Sequence, residues 1–418
     1  MKQTATQGFL PFQKPMLVLI IGLVLFLFAL WPAVAAELTL PRLEMASRGR
    51  VDNGEFKVSS LLSADLALTG GYKYAFILGF SLDAPDIAKA FSFRNYKADP
   101  IPSSSTVSGE EYNALADRVN NQAVLGFRIA KATIRETFGL PLEMSYFLGQ
   151  GDDFCTGDEF SSRFGLPGIG TDFRGFFYFP EGIGFNPMRQ YNGIHGVRGT
   201  GFSFTLTKWE KLIPMLYLYQ DFPDPNNVFG GNYMYSGDLR VLFHHNWLRL
   251  EPFGGFSMNS DFDTSIRAGF MLHLDAGNGA EFFAQAGIPS YVTGETFNID
   301  NLFFLIEPRL HFGNFGLFVT FFYHPVVYLH IITPQEKGKA DINVKFQFGK
   351  PDSGFAGGFE TGGELKIDGM EDFLFRVSPF VSFISGGLRW DAKLRILPLE
   401  YEVPESMFEI FIGIRTAF

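Results

Sequence analysis

The chain is poor in several things that a protein of 418 residues commonly relies on. It has one cysteine, Cys155, so no internal disulfide can form. Charged residues are 19%, below the usual soluble share of about 25%. Beyond the first 36 residues there is no long apolar run, which excludes a bundle of spanning helices. Basic residues are outnumbered: Lys and Arg total 34 against 44 Asp and Glu, for a formal net charge of −10. Acidity on that scale argues against nucleic acid as a partner. No H-E-x-x-H, G-x-S-x-G or P-loop motif is present. The seven histidines are scattered, and the side chains of His244-His245 diverge at a turn. Neither a catalytic site nor a cofactor is expected. Asp152, Asp153, Asp158 and Glu159 are hard oxygen donors of the kind calcium takes. They lack EF-hand spacing, and a solvated acidic loop is the simpler reading, so no metal is assigned.

What is abundant is Phe, at 50 residues, and Gly, at 46. Aromatics reach 17%, which large exposed side chains would make a liability in a soluble domain. Mean hydropathy is nevertheless only +0.09. A transmembrane barrel reconciles these values, because lipid-facing apolar residues alternate with polar lumen residues and the average cancels. The first 36 residues read as an export signal. Lys2 and Lys14 give a basic start, Met16–Leu30 an apolar core too short to span, and Ala33-Val34-Ala35 a small-x-small cleavage site. Loss of Lys2 and Lys14 takes the mature chain to −12.

The remainder, residues 37–418, shows period-two alternation repeatedly. Ile266, Ala268, Phe270, Leu272 and Leu274 oppose Arg267, His273 and Asp275. Ile342, Val344, Phe346 and Phe348 oppose Asp341, Asn343, Lys345 and Gln347. Leu388, Trp390, Ala392, Leu394 and Ile396 oppose Arg389, Asp391, Lys393 and Arg395. Successive side chains of a strand point to opposite faces, so each run is a two-faced strand. In lipid every backbone polar group needs a partner within the protein, and only helices and closed barrels supply one.

Short turns, such as Thr69–Gly71, Ala276–Gly279 and Ser385–Gly387, alternate with longer segments, among them Arg48–Glu55, Ala84–Gln122 and Gly151–Asn192. That is the order expected of short periplasmic turns and long outer loops. Seventeen segments after Gly54 alternate acceptably. An odd count would leave the chain ends on opposite sides, so topology predicts an added first strand in Leu38–Ser47, despite Pro41 and weak alternation. The predicted fold is all-β, an antiparallel up-and-down transmembrane barrel of about 18 strands, with 16 as the alternative. Loop 84–122 contains Ser108-Gly109-Glu110-Glu111, a capping box that predicts a helix over Glu110–Val119. Loop 151–192, rich in Gly and Phe, can fold inward to narrow a pore. The simpler expectation is that both loops lie outside.

Alternation places a set of charges toward the lumen: Arg240, Arg249, Glu251, Arg267, Asp275, Glu281, Glu307, Arg309, Lys345, Glu360, Glu364, Lys366, Arg376, Arg389, Asp391, Lys393 and Arg395. Rings of charge inside a pore set ion selectivity. Basic residues concentrate on Leu388–Leu397 and acidic ones on Glu281, Glu307 and Glu360–Glu364, so a field across the pore and simple lumen-filling ion pairs are both open readings. Conductance with a cation preference would favour an acidic lumen.

In Met407–Phe418, Phe408, Ile410, Ile412, Ile414, Thr416 and Phe418 share one face. Met407, Glu409, Gly413 and Arg415 share the other, with Phe411 as an exception. This ending resembles that of bacterial outer-membrane β-barrel proteins, porin-like, whose last strand closes on a C-terminal Phe preceded by alternating apolar residues. The match covers Ile410, Ile412, Ile414 and Phe418, and Thr416 departs from it. The resemblance implies recognition by the barrel-assembly machinery. It also implies export by the general secretory route and residence in the outer-membrane lipid of a diderm bacterium. Function follows from architecture: a pore or channel for passive uptake of small hydrophilic solutes. The alternatives are an adhesin-type barrel acting through its outer loops and, ranked below it, a transporter of hydrophobic compounds.

Overall fold

The computed structural model describes residues 36–52, 54–84, 87, 123–174, 193–221, 234–324, 339–350, 354–366 and 373–416. Eighteen strands follow one another. They are β1 (Glu37–Asp52), β2 (Glu55–Gly70), β3 (Tyr74–Ala84), β4 (Val124–Ile134), β5 (Leu142–Phe154), β6 (His195–Leu206), β7 (Leu212–Asp221), β8 (Tyr235–His245) and β9 (Leu248–Met258). The second half holds β10 (Thr264–Asp275), β11 (Ala280–Val292), β12 (Phe303–Phe312), β13 (Phe315–His324), β14 (Lys339–Gly349), β15 (Phe355–Lys366), β16 (Leu374–Ser385), β17 (Leu388–Ile396) and β18 (Phe408–Thr416). Each pairs antiparallel with the next, and β1 pairs with both β2 and β18. The sheet closes on itself and leaves no edge, so the backbone groups of every strand can be satisfied by a neighbour.

Closure depends on the weakly patterned first strand. Ser47 stands opposite Ile412 and Glu44 opposite Arg415. A register shift between Thr39 and Arg42 takes up the irregularity around Pro41, which has no N–H to give to the ladder. The strand is longer than predicted. Arg48–Asp52 continues β1 rather than opening a loop, and β2 begins at Glu55 after a turn at Gly54, whose φ of +78° suits glycine. Gly151–Phe154 likewise belongs to β5 and not to the loop that follows it.

The outer face is apolar. Along β10, Ile266 and Phe270 are exposed while Arg267, Met271 and His273 are buried. On β18, Phe408, Ile410 and Ile412 are exposed while Glu409 and Phe411 are buried. Phe411, which broke the sequence alternation, faces inward with the Arg48 guanidinium over its ring. Exposed aromatics gather at the short turns: Tyr72, Phe138, Trp209, Trp247, Phe312 and Phe315. An apolar band bordered by aromatic residues is the surface a bilayer requires of a barrel. The Glu110–Val119 helix and Phe418 lie outside the described residues.

Candidate functional site: a lumen half filled by an inward segment

The chain that leaves β5 turns into the barrel rather than away from it. Residues 155–174 carry a short helix, α1 (Asp158–Phe164), and a 3-10 turn at Asp172–Arg174. Phe154, Cys155, Phe160, Ile169, Thr171 and Phe173 are buried. All but Thr171 form one apolar cluster with inner-face side chains of the wall: Phe147 on β5, Met215, Tyr217 and Tyr219 on β7, Phe253 on β9, Met271 on β10, Phe283 on β11 and Phe303 on β12. The expectation that loop 151–192 lies outside is therefore corrected for residues 155–174. The physical reason is apolar: three Phe and an Ile find a matching inner surface on β5–β13, and burial of each such side chain contributes roughly 1.5–3 kcal/mol.

Polar ties fix the segment in place. Glu251 accepts the Cys155 N–H at 2.5 Å, and Gln285 donates to the Cys155 carbonyl. Glu307 accepts from Thr171 Oγ1 at 2.6 Å, from the Asp172 N–H at 2.9 Å, from Thr320 Oγ1 at 2.8 Å and from Arg309 Nε at 2.8 Å. Arg309 also donates to the Gly170 carbonyl. Lys345 Nζ meets Asp172 at 2.8 Å, and Arg163 meets Glu143 at 2.7 Å. Burial alone would raise the Asp172 carboxyl, but the Lys345 ammonium, with Arg309 behind it, holds it below the usual carboxylate range. Burial, and then the Glu251 charge, push the Cys155 thiol well up, so it is a packed and unreactive group.

The acidic residues weighed for calcium do not converge. Asp152 accepts from Tyr217 at 2.6 Å and faces Lys131 at 3.3 Å. Asp153 accepts from Gln150, and Glu159 pairs with Arg163 within α1. Among the described residues no three His, Cys, Asp or Glu side chains could hold a metal ion.

The predicted lumen charges are found in pairs and clusters. Arg240 and Glu251, both fully buried, meet at 2.8 Å, with the guanidinium over the Phe154 ring. Arg267 grips Asp238 through Nε at 2.6 Å and Nη2 at 2.9 Å, and Tyr219 donates to the same carboxylate at 2.7 Å. Gly255 makes this possible, because a Cβ there would collide with Asp238 Oδ1. Arg249 donates to His273 at 3.1 Å, and His273 reaches Glu281 at 3.2 Å. Arg309 and His311 each stand 3.6 Å from Glu281. Along the wall of β15–β18, Lys393 meets Glu360 at 2.9 Å, Arg389 meets Asp391 at 3.1 Å and Arg395 meets Glu409 at 2.9 Å. Glu364 is half-buried on β15, opposite Asp341.

Sequence reasoning missed Asp172, Asp238 and the set Arg42, Arg48, Asp65 and Arg128. A signal for Asp238 and Asp65 was present: each sits at the polar position of a locally alternating run. Arg42 and Arg48 were hidden by the irregular start of β1.

A closed 18-stranded antiparallel barrel with an apolar outer face and a charged interior is a transmembrane β-barrel of the outer-membrane, porin-like class. No family profile matches the chain, and no curated protein matches it. Several solved structures are similar to it. OccK8 (OprE) of Pseudomonas aeruginosa shares 12% identity at a TM-score of 0.48, over 92% of this chain and 98% of that one. Wzi of Escherichia coli is described as an outer-membrane, carbohydrate-binding β-barrel involved in group 1 capsule assembly. It shares 11% identity at a TM-score of 0.47, over 98% of this chain and 90% of that one. OmpF of Salmonella typhi, solved with daunomycin, shares 9% identity at a TM-score of 0.42, over 92% and 97%. Likeness at this level says nothing about what this chain carries.

Proposed function

We propose that the protein is a passive outer-membrane channel for small hydrophilic solutes, with residues 155–174 setting its width. The observation that carries this reading is the asymmetry of the interior. One wall, β5–β13, is covered by the inward segment, whose far end reaches Lys345 on β14 and Arg376 on β16. The other, β15–β18 and β1–β4, keeps charged side chains that are partly exposed, among them Arg48 and Arg128. About 18 strands enclose enough space for a water-filled path beside such a segment. The chain reaches its membrane after export through the general secretory route, with the first 36 residues removed, and its last strand is read by the barrel-assembly machinery. It performs no catalysis. Protein refolded and added to planar bilayers is expected to give discrete conductance steps. Consistently silent bilayers would overturn the proposal and favour a role for the outer loops in surface attachment.

A further inference from the structure

The charges on the uncovered wall are unevenly presented. Three carboxylates there each hold two guanidiniums. Asp65 takes Arg42 at 2.8 Å and Arg128 as well. Glu409 takes Arg395 at 2.9 Å and also Arg48. Asp391 takes Arg389 at 3.1 Å and Arg415 at 3.7 Å. Arg42 also stands 3.8 Å from Glu44.

In each of these three groups the carboxylate is the hidden member, whereas in the Lys393–Glu360 pair the two are nearly level, at 11% and 14%. Side-chain exposure is 11% for Asp65 against 30% for Arg128, 7% for Glu409 against 33% for Arg48, and 9% for Asp391 against 27% for Arg415. A passing ion therefore meets guanidinium first, with the neutralising carboxylate behind it. Charge at the wall of a narrow, low-dielectric path acts strongly on ions within it. The groups are also spread along the wall: Glu409 and Arg415 are six residues apart on β18, about 20 Å along the tilted strand at 3.3 Å per residue.

On the covered wall Glu281 is 26% exposed, but Arg309, His273 and His311 surround it. Asp238, Glu251 and Glu307 have no side-chain exposure and are bound by arginines. Asp172, which is partly exposed, is matched by Lys345.

We propose that the channel selects anions, with Arg48, Arg128 and Arg415 as its specificity-determining residues and small carboxylate- or phosphate-bearing solutes as its cargo. This rests on the channel reading above. It runs against the acidity of the chain as a whole, because in these three groups the acid is the more buried partner and an arginine the more exposed one.

The test is the reversal potential of the open channel in a potassium chloride gradient. The expected sign is that of chloride permeation, and acetate and phosphate salts are expected to keep an anion current. Replacing Arg48, Arg128 and Arg415 together by Gln should lower the chloride-to-potassium permeability ratio several-fold, and replacing them by Lys should retain it. If the triple Gln variant fails to insert, Arg48→Gln alone is read for the same direction. Cation preference in the unmodified channel, or an unchanged ratio in the Gln variant, overturns anion selection and leaves the channel standing. A chloride current that neither acetate nor phosphate can replace overturns the cargo assignment. Silent bilayers overturn the channel itself.

Discussion

At the scale of the residue, the interior is held by ions that have almost no water. Arg240 and Glu251 are both fully buried and meet at 2.8 Å. Removing one partner of such a pair leaves an uncompensated buried charge and typically costs about 3–5 kcal/mol, whereas replacing both by apolar or neutral groups of similar volume is often near neutral. Glu251→Ala should thus lower the denaturant midpoint of the barrel in vesicles markedly. The double change Arg240→Met with Glu251→Gln should recover much of the loss. A single variant as stable as the parent would mean that water reaches the pair. Asp172 gives a pH prediction. Its carboxyl is held below the ordinary value of about 3.9, because Lys345 and Arg309 outweigh burial. A depressed carboxyl contributes stability above its unfolded value and loses it as pH falls through the folded one. The segment should then stay fastened from neutral pH down to about pH 4 and loosen only below. Unit conductance recorded during acidification should be flat and then rise. Asp172→Asn should show the loosened conductance already at neutral pH.

At the scale of the element, the best-read strands were those whose two faces differ most. Ser265–Asp275, Asp341–Gly349 and Leu388–Leu397 each became a strand within a residue or two of its expected ends. Strand β1 was readable only through topology. Pro41 and the register shift after Thr39 break its period, and nothing local replaces that signal. The inward turn of residues 155–174 was open to sequence reasoning but not decided by it, since its partners lie on distant strands, Lys345 being 173 residues from Asp172. A hint existed in strands apolar on both faces. Ile213, Met215, Tyr217 and Tyr219 on β7, with Phe303 and Leu305 on β12, need an apolar partner that a wet lumen does not supply. The closure itself can be tested. Ser47 and Ile412 are direct partners across β1 and β18. Opposed residues of an antiparallel pair lie about 4.5–5.5 Å apart, within disulfide reach. Ser47→Cys with Ile412→Cys should cross-link on oxidation and alter the mobility of the denatured chain on a gel, while the buried Cys155 stays out of the exchange. Ser47→Cys paired with Gly413→Cys, one residue out of register, should cross-link poorly.

At the scale of the whole molecule, the wall and the filling are separable. The hydrogen-bonded ladder runs unbroken around the barrel, and residues 155–174 add no strand to it. What they add is an apolar layer and a set of ties to Glu251, Gln285, Glu307, Arg309 and Lys345. Removing residues 157–173 and joining the ends with a short Gly-Ser link should therefore leave a closed barrel. Its stability should fall, because Phe147, Tyr217, Phe283 and Phe303 would be uncovered to water. The open path should widen at the same time, since Phe160, Ile169 and Phe173 would no longer cover that wall and Ile194 would be left as a single side chain over Gly269 and Gly287. The expected result is a larger unit conductance and weaker ion selectivity, because an ion could then pass farther than a Debye length of about 10 Å from the arginines of the opposite wall. The combination separates two accounts of the segment. Unchanged conductance with lower stability would make residues 155–174 a structural filler beside a path they do not bound. A rise in conductance with the strand content preserved makes them the part of the chain that sets the width of the pore.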